Sequence, residues 1–100
     1  MELQLSEELG TRLSDGHRAA DFRMQRISPY VDLCEKIVLD FTDVRIANSS
    51  FVNALVSGSI EQHGEAILQK MAFRGCSPAI KVLVEAAVFL GISKTQNKVA

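Results

Sequence analysis

Residues 36–55 read KIVLDFTDVRIANSSFVNAL, and two kinds of order meet inside them. Ile37, Val38, Leu39 and Phe41 make a nearly unbroken apolar run, with Glu35-Lys36 before it and Thr42-Asp43 after it. A short run with almost no polar face reads as a strand buried on both sides, the usual state of a parallel strand covered by helices. Asn48, Ser49 and Ser50 then supply three successive side chains suited to capping a helix. Beyond them Phe51, Leu55 and Gly58 share one helical face, and Val52, Val56 and Ile60 share another, before Gly64 offers a stop. Two apolar rows on one helix mean either deep burial or a surface for a partner.

The N-terminal flank begins with MELQL, residues 1–5, whose alternation predicts a short strand. Gly10 permits a turn, and Thr11 to Leu13 extend that strand or pair with it. Ser14 or Asp15 caps a helix in which Ala20, Met24 and Ile27 form the inward stripe, flanked by Phe22. Arg18, Arg23 and Arg26 lie on its solvated side, with Arg18 and Arg26 placed to hold an acidic partner. Ser28-Pro29 starts a further turn through Tyr30, Val31, Leu33 and Cys34.

The C-terminal flank opens with a connection, residues 64–69, and a strand over Met71, Ala72 and Phe73 that ends at Arg74-Gly75. Ser77-Pro78 then reads as cap and first residue of a helix that runs through Leu90 and stops at Gly91. Ile80, Leu83, Val84 and Ala87 form its buried stripe, and Lys81 and Glu85 are spaced to pair. Val82, Ala86 and Phe89 lie off the stripe, an apolar surplus that suits a homodimer. The order is strand, helix, strand, helix, strand, helix. It predicts a small α/β fold with a mostly parallel or mixed sheet and helices packed on it. Residues 1–91 form one domain in this reading, and residues 92–100 a flexible tail.

Composition narrows the function. The 100 residues are 47% hydrophobic and 23% charged, with a net charge of −1. That balance argues against a nucleic-acid partner or an anionic membrane surface. No apolar run approaches the roughly 20 residues of a membrane span, and MELQLSEELG lacks the basic start and apolar core of a signal peptide. A cytoplasmic protein is the expectation. Cys34 and Cys76 fit two reduced, partly buried thiols, and neither shares a metal-binding spacing with His17 or His63. No cofactor or metal is expected.

A search for chemistry leaves one stretch. There is no GxGxxG, no phosphate-binding glycine loop and no HExxH, and Ser59 lacks the glycine two residues on that a nucleophile elbow needs. Asp40 and Asp43 have a spacing compatible with Mg²⁺, but two acids alone are weak evidence and a turn or capping role explains Asp43 better. An enzyme is not expected. Asn48-Ser49-Ser50 stands on better ground. The start of a helix offers unpaired N–H groups and a partial positive charge, and ligands in open α/β sheets favour the carboxyl ends of strands. Capping and phosphate acceptance both remain open for the two serines.

These same residues resemble a known family. Leu39-Asp40-Phe41, then Val44, then Ser50-Phe51 is similar to the centre of a STAS domain, the fold of anti-sigma factor antagonists. It is closer still to a bacterial STAS-like family of unknown function. MAFRGCSPAIKVLVEAAV, from Met71, resembles that family's last strand and helix, and Gly16-His17-Arg18-Ala19 the opening of its first helix. The resemblance implies a domain that binds proteins and has no catalysis of its own. In anti-sigma factor antagonists an ATPase-like serine kinase phosphorylates a serine in an aspartate-serine-serine stretch. That stretch falls here on Asn48, Ser49 and Ser50, so the aspartate is missing. The expected partner surface is Asp43, Asn48, Ser49, Ser50, Val52 and Val56. Alternatives are a phosphorylation switch at Ser49 or Ser50 and an anion sensor using Asp40, Asp43 and Ser49.

Overall fold

The computed structural model describes residues 1–96. Three parallel strands make the main sheet in the order β1-β3-β5: β1 is Glu2–Gln4, β3 is Ile37–Asp40 and β5 is Met71–Arg74. KIVLDF therefore does supply the central strand. A second, two-stranded parallel pair joins β2 (Arg12–Leu13) to β4 (Ile46–Ala47). The sequence predicts that Thr11 to Leu13 extend the first strand or pair with it, whereas they pair with Ile46–Ala47. A two-residue strand is too short to show a period, so only its partner reveals it.

The helices also depart from expectation in places. Leu5–Leu9 is a short helix, α1, where alternation suggested that the strand would continue to Leu5. The second helix, α2, spans Gly16–Phe22 and continues as a π turn over Arg23–Ile27 and a 3₁₀ turn over Ser28–Tyr30. Its buried residues are Ala19, Phe22 and Ile27, whereas Met24 is half exposed. The next helical run starts with α3 (Ser49–Val52), passes through a π turn (Asn53–Ser57) and ends as α4 (Gly58–His63). A 3₁₀ turn over Glu65–Gln69 leads into β5. The last helix, α5, covers Pro78–Gln96. It does not stop at Gly91, which is buried inside it. A Cβ there would lie 2.9 Å from Ile60, so Gly91 marks close helix contact and not a terminus. The tail expected over 92–100 is helical as far as Gln96, and the rest of it lies outside the described residues.

The 49–63 run is the middle of the helix layer, packed against α2 on one side and α5 on the other. Its two apolar rows resolve as deep burial, since Phe51, Val52, Leu55, Val56 and Ile60 all belong to the core. Ile37 and Leu39 meet them from the sheet. The opposite face of the sheet carries Glu2, Gln4, Val38, Asp40, Ala72 and Arg74 in register. Among the described residues no helix is laid along it, since Glu2, Gln4 and Arg74 are exposed, and only Ser6 and Glu7 of α1 border its end beside Gln4 and Asp40. Val38 is nonetheless buried there, beside the Arg74–Glu2 ion pair (2.8 Å) that bridges the two edge strands. Helices on both faces were thus the wrong reason for the apolar run. No described helix is long and apolar enough to cross a membrane.

Candidate functional site

Two strand-to-helix junctions lie side by side. β2 leads through Ser14-Asp15 into α2, and its parallel partner β4 leads through Asn48 into α3. Asp15 caps α2, accepting from the backbone N–H groups of His17 (2.9 Å) and Arg18 (3.4 Å). Asn48 caps α3 by accepting from Phe51 N at 2.9 Å. The Asn48 amide also donates to the Ser14 carbonyl at 3.0 Å, and its backbone N–H to the Leu13 carbonyl at 3.0 Å. Asparagine therefore does two jobs: it satisfies a helix start and ties one junction to the other. An aspartate at this position would keep the backbone bond to Leu13 but lack the side-chain donor to Ser14.

Neither serine is the cap. Ser49 and Ser50 follow it in the first turn, both exposed. Neither hydroxyl has a hydrogen-bond partner among the described residues. The start of α2 lies close against Ser50, since a Cβ on Gly16 would stand 3.0 Å from Ser50 Oγ and 3.2 Å from its carbonyl oxygen. Glycine at position 16 is what lets the two junctions approach. The surrounding surface is exposed Arg12, Asp15, His17, Arg18, Arg45 and Ile46, the last 47% accessible. Arg26, grouped with Arg18 as a holder of acidic partners, is instead paired within the chain to Glu8 at 2.8 Å.

The remaining expected residues divide. Val52 and Val56 are fully buried and present no surface to a partner, which corrects their place in the expected docking patch. Their role is the core beneath it. Asp43 is exposed and sits at φ 69°, the third residue of the turn closed by Val44 N donating to Phe41 O (3.0 Å). Asp40 ends β3 nearly buried. Its Oδ1 accepts from Thr42 N (2.9 Å) and Thr42 Oγ1 (2.6 Å), and these bonds hold its carboxyl below the usual range. Asp40 and Asp43 share a shallow cavity of about 160 Å³ with Gln4, Ser6, Glu7 and Thr42. Among the described residues, no three histidine, cysteine or acidic side chains converge as a metal site would require.

One polar cluster went unforeseen. Arg23 donates to the Ala54 carbonyl at 3.1 Å and also to Gln62 Oε1, which accepts from Ser28 Oγ at 3.2 Å. His63 Nε2 lies 3.1 Å from Ser28 Oγ, and burial followed by the Arg23 charge pushes its pKa down. Arg23 and Ala54 lie in the two π turns, Ser28 just follows the first, and Gln62 and His63 end α4; a π turn leaves a carbonyl out of the regular ladder. Helical periodicity places Arg23 on the solvated side, whereas in the structure it is partly buried and turned toward the middle helix. The two thiols, Cys34 and Cys76, are unpaired and partly buried, and burial pushes Cys76 up, so it stays protonated. The spaced pair Lys81 and Glu85 forms no ion pair.

No curated protein and no solved structure matches the chain. Residues 18–81 do match a family described as a STAS-like domain of unknown function (DUF4325). That span holds most of α2, the central strand, the capped serine pair and the opening of the last helix, and the chain accordingly belongs to this STAS-like family.

Proposed function

We propose that this protein is a non-catalytic interaction module that docks a protein partner through residues 42–50 and the adjoining start of α2. Membership of a STAS-like family supports a regulatory or interaction role. The observation that carries the reading is at Ser49 and Ser50. Asn48 already caps the helix, so both hydroxyls stay exposed and unbonded beside a second helix start. Asp43, Asn48, Ile46, Arg45 and Arg18 supply the mixed polar and apolar rim expected of a transient interface. The test is capture from extracts of the native host with the whole chain as bait. Ser49→Asp and Ser50→Asp abolish capture of a partner that Gln69→Asp, a charge added elsewhere, leaves intact. Equal capture by all three variants refutes the reading.

A phosphorylation switch is the second reading, favoured by the same free hydroxyls. A phosphate adds about −1.5 to −2 charge at neutral pH, and at the first turn of a helix that charge is stabilised by the backbone. An ATPase-like serine kinase would be the partner. Intact mass of protein from its host shows one added phosphate on Ser49 or Ser50 in some growth state; an unmodified mass in every state excludes it. Pairing of two copies through Val82, Ala86 and Phe89 is a separate proposal. It is favoured by Val82 and Phe89 being 64% and 74% exposed, and a monomer mass by light scattering at high concentration removes it.

A further inference from the structure

The sheet and helix layers differ in width, and the mismatch leaves a gap on one flank. Three helical segments lie side by side, with 49–63 between α2 and α5. Helix axes pack about 8–10 Å apart, so this layer spans about 16–20 Å from first axis to last. The three strands lie about 4.8 Å apart and span only about 10 Å. On its side of the molecule, α5 overhangs the edge strand β5 that leads into it. A cavity of about 400 Å³ occupies that position. Phe73, Gly75 and Cys76 line one side of it, and Lys81, Val84 and Glu85 of α5 the other. Neither β3 nor the middle helix contributes, so the cavity belongs to the outer flank.

The backbone bordering this gap is unpaired. Ile37 N donates to Lys70 O at 2.8 Å and Phe41 N to Arg74 O at 2.7 Å. In a parallel ladder, alternate residues turn their N–H and C=O toward the same neighbour. Lys70, Ala72 and Arg74 therefore face β3, while Met71 and Phe73 turn outward. Among the described residues nothing bonds to their outward groups. On the helix-facing side, the cross-strand row Leu3–Leu39–Phe73 ends at the cavity. The next side chain in that row would fall inside it.

We propose that this edge accepts an extended segment of a partner protein, one strand wide, with an aliphatic side chain seated between Phe73, Cys76 and Val84. Its alternate residues are polar, because they join the uncovered face beside Ala72 and Arg74. The outward backbone groups of Met71 and Phe73 supply affinity, and the cavity supplies selectivity. A lone strand fits better than a second copy. Joining β5 to β5 would push two overhanging α5 helices into the same space. This surface is independent of the serine site and does not rest on the docking proposed there.

The test uses the whole chain and acetylated, amidated heptapeptides, Lys-Thr-Xaa-Thr-Xaa-Thr-Lys, with Xaa valine, isoleucine or leucine. Amide hydrogen exchange is read residue by residue with and without each peptide. In the free protein, Met71 and Phe73 exchange fast, while Ala72 and Arg74 are protected. At least one peptide slows Met71 and Phe73 at least ten-fold. Phe73→Pro removes an outward donor at an edge where proline is tolerated, and Cys76→Phe fills the cavity. Each weakens that peptide at least ten-fold while far-ultraviolet circular dichroism stays native. Three results overturn the proposal: Met71 and Phe73 already protected in the free protein, as a second copy on the edge would produce; no protection with any peptide; or protection indifferent to both variants.

Discussion

Asn48 is the residue on which the reading of the serine pair turns. Its side chain caps α3 and bonds to Ser14, so Asn48→Ala removes a cap and a tie between junctions. Loss of a cap costs about 1 kcal/mol, and urea melts measure it. Ser49→Ala and Ser50→Ala change stability by no more than about 0.5 kcal/mol, as exposed positions do. The opposite ranking would mean that a serine caps after all. His63 makes a second residue-scale prediction, in pH. Its pKa is lowered in the fold, so the folded state prefers the neutral ring. Stability is complete above the unfolded value near 6.5 and falls as pH drops through it. Urea midpoints at pH 7.5 and 5.5 show the loss, and His63→Gln flattens it. Asp40 acts with the same sign in a lower window. Its depressed pKa gives stability that is present above the unfolded value near 3.9 and is lost on further acidification.

At the scale of elements, the helix–helix contacts depend on two unusual fits. Gly91 allows α5 to lie against Ile60 with no side chain between them. Gly91→Ala raises helix propensity by about 1 kcal/mol, yet its methyl meets Ile60 at 2.9 Å. Overpacking of this kind costs about 1–3 kcal/mol, so a net loss in chemical denaturation is expected. A gain would show that the helices separate easily. Arg23 links α2 to the π turn of the middle helix by donating to the Ala54 carbonyl. Arg23→Met keeps the stem and removes the donor, at a cost of about 1–3 kcal/mol from the half-buried carbonyl left unpaired. Neither element-level fit was visible beforehand, for a definite reason. Gly91 reads as a stop because glycine usually ends helices, and only the neighbouring helix shows why it stands mid-helix. A π turn has no compositional mark, so periodicity drifts through it. Met24 was placed inward and Arg23 outward for that reason.

For the whole molecule, burial decides which apolar residues are core and which are surface. Val52→Ala and Val56→Ala lose about 2 kcal/mol each, by the ordinary penalty for shortening a core side chain. Val82→Lys and Phe89→Lys stay within about 0.5 kcal/mol if the chain is monomeric, because both residues already face solvent. Thermal and urea melts separate the two classes. Much of the architecture was legible in the sequence: the central strand, the strand over Met71, Ala72 and Phe73 (which extends one residue further, to Arg74), the capped starts near 48 and 77, and the small parallel α/β class. These follow from local rules, since an apolar run with turn residues at its ends or a Ser-Pro before a periodic stretch has few alternatives. For the candidate site, the helix start was legible in the sequence but the roles of its three polar residues were not. Sequence determined that a polar, helix-starting triplet follows the central strand. Tertiary structure alone decided that asparagine is the cap and the serines are free, because all three have capping side chains and only the bond to Ser14 selects among them. It alone decided that Val52 and Val56 are core, because two apolar rows are equally consistent with a partner and with a second helix. The pairing of β2 with β4, and the unfilled flank beside β5, arise from contacts between segments far apart in the chain, which no local pattern of residues encodes.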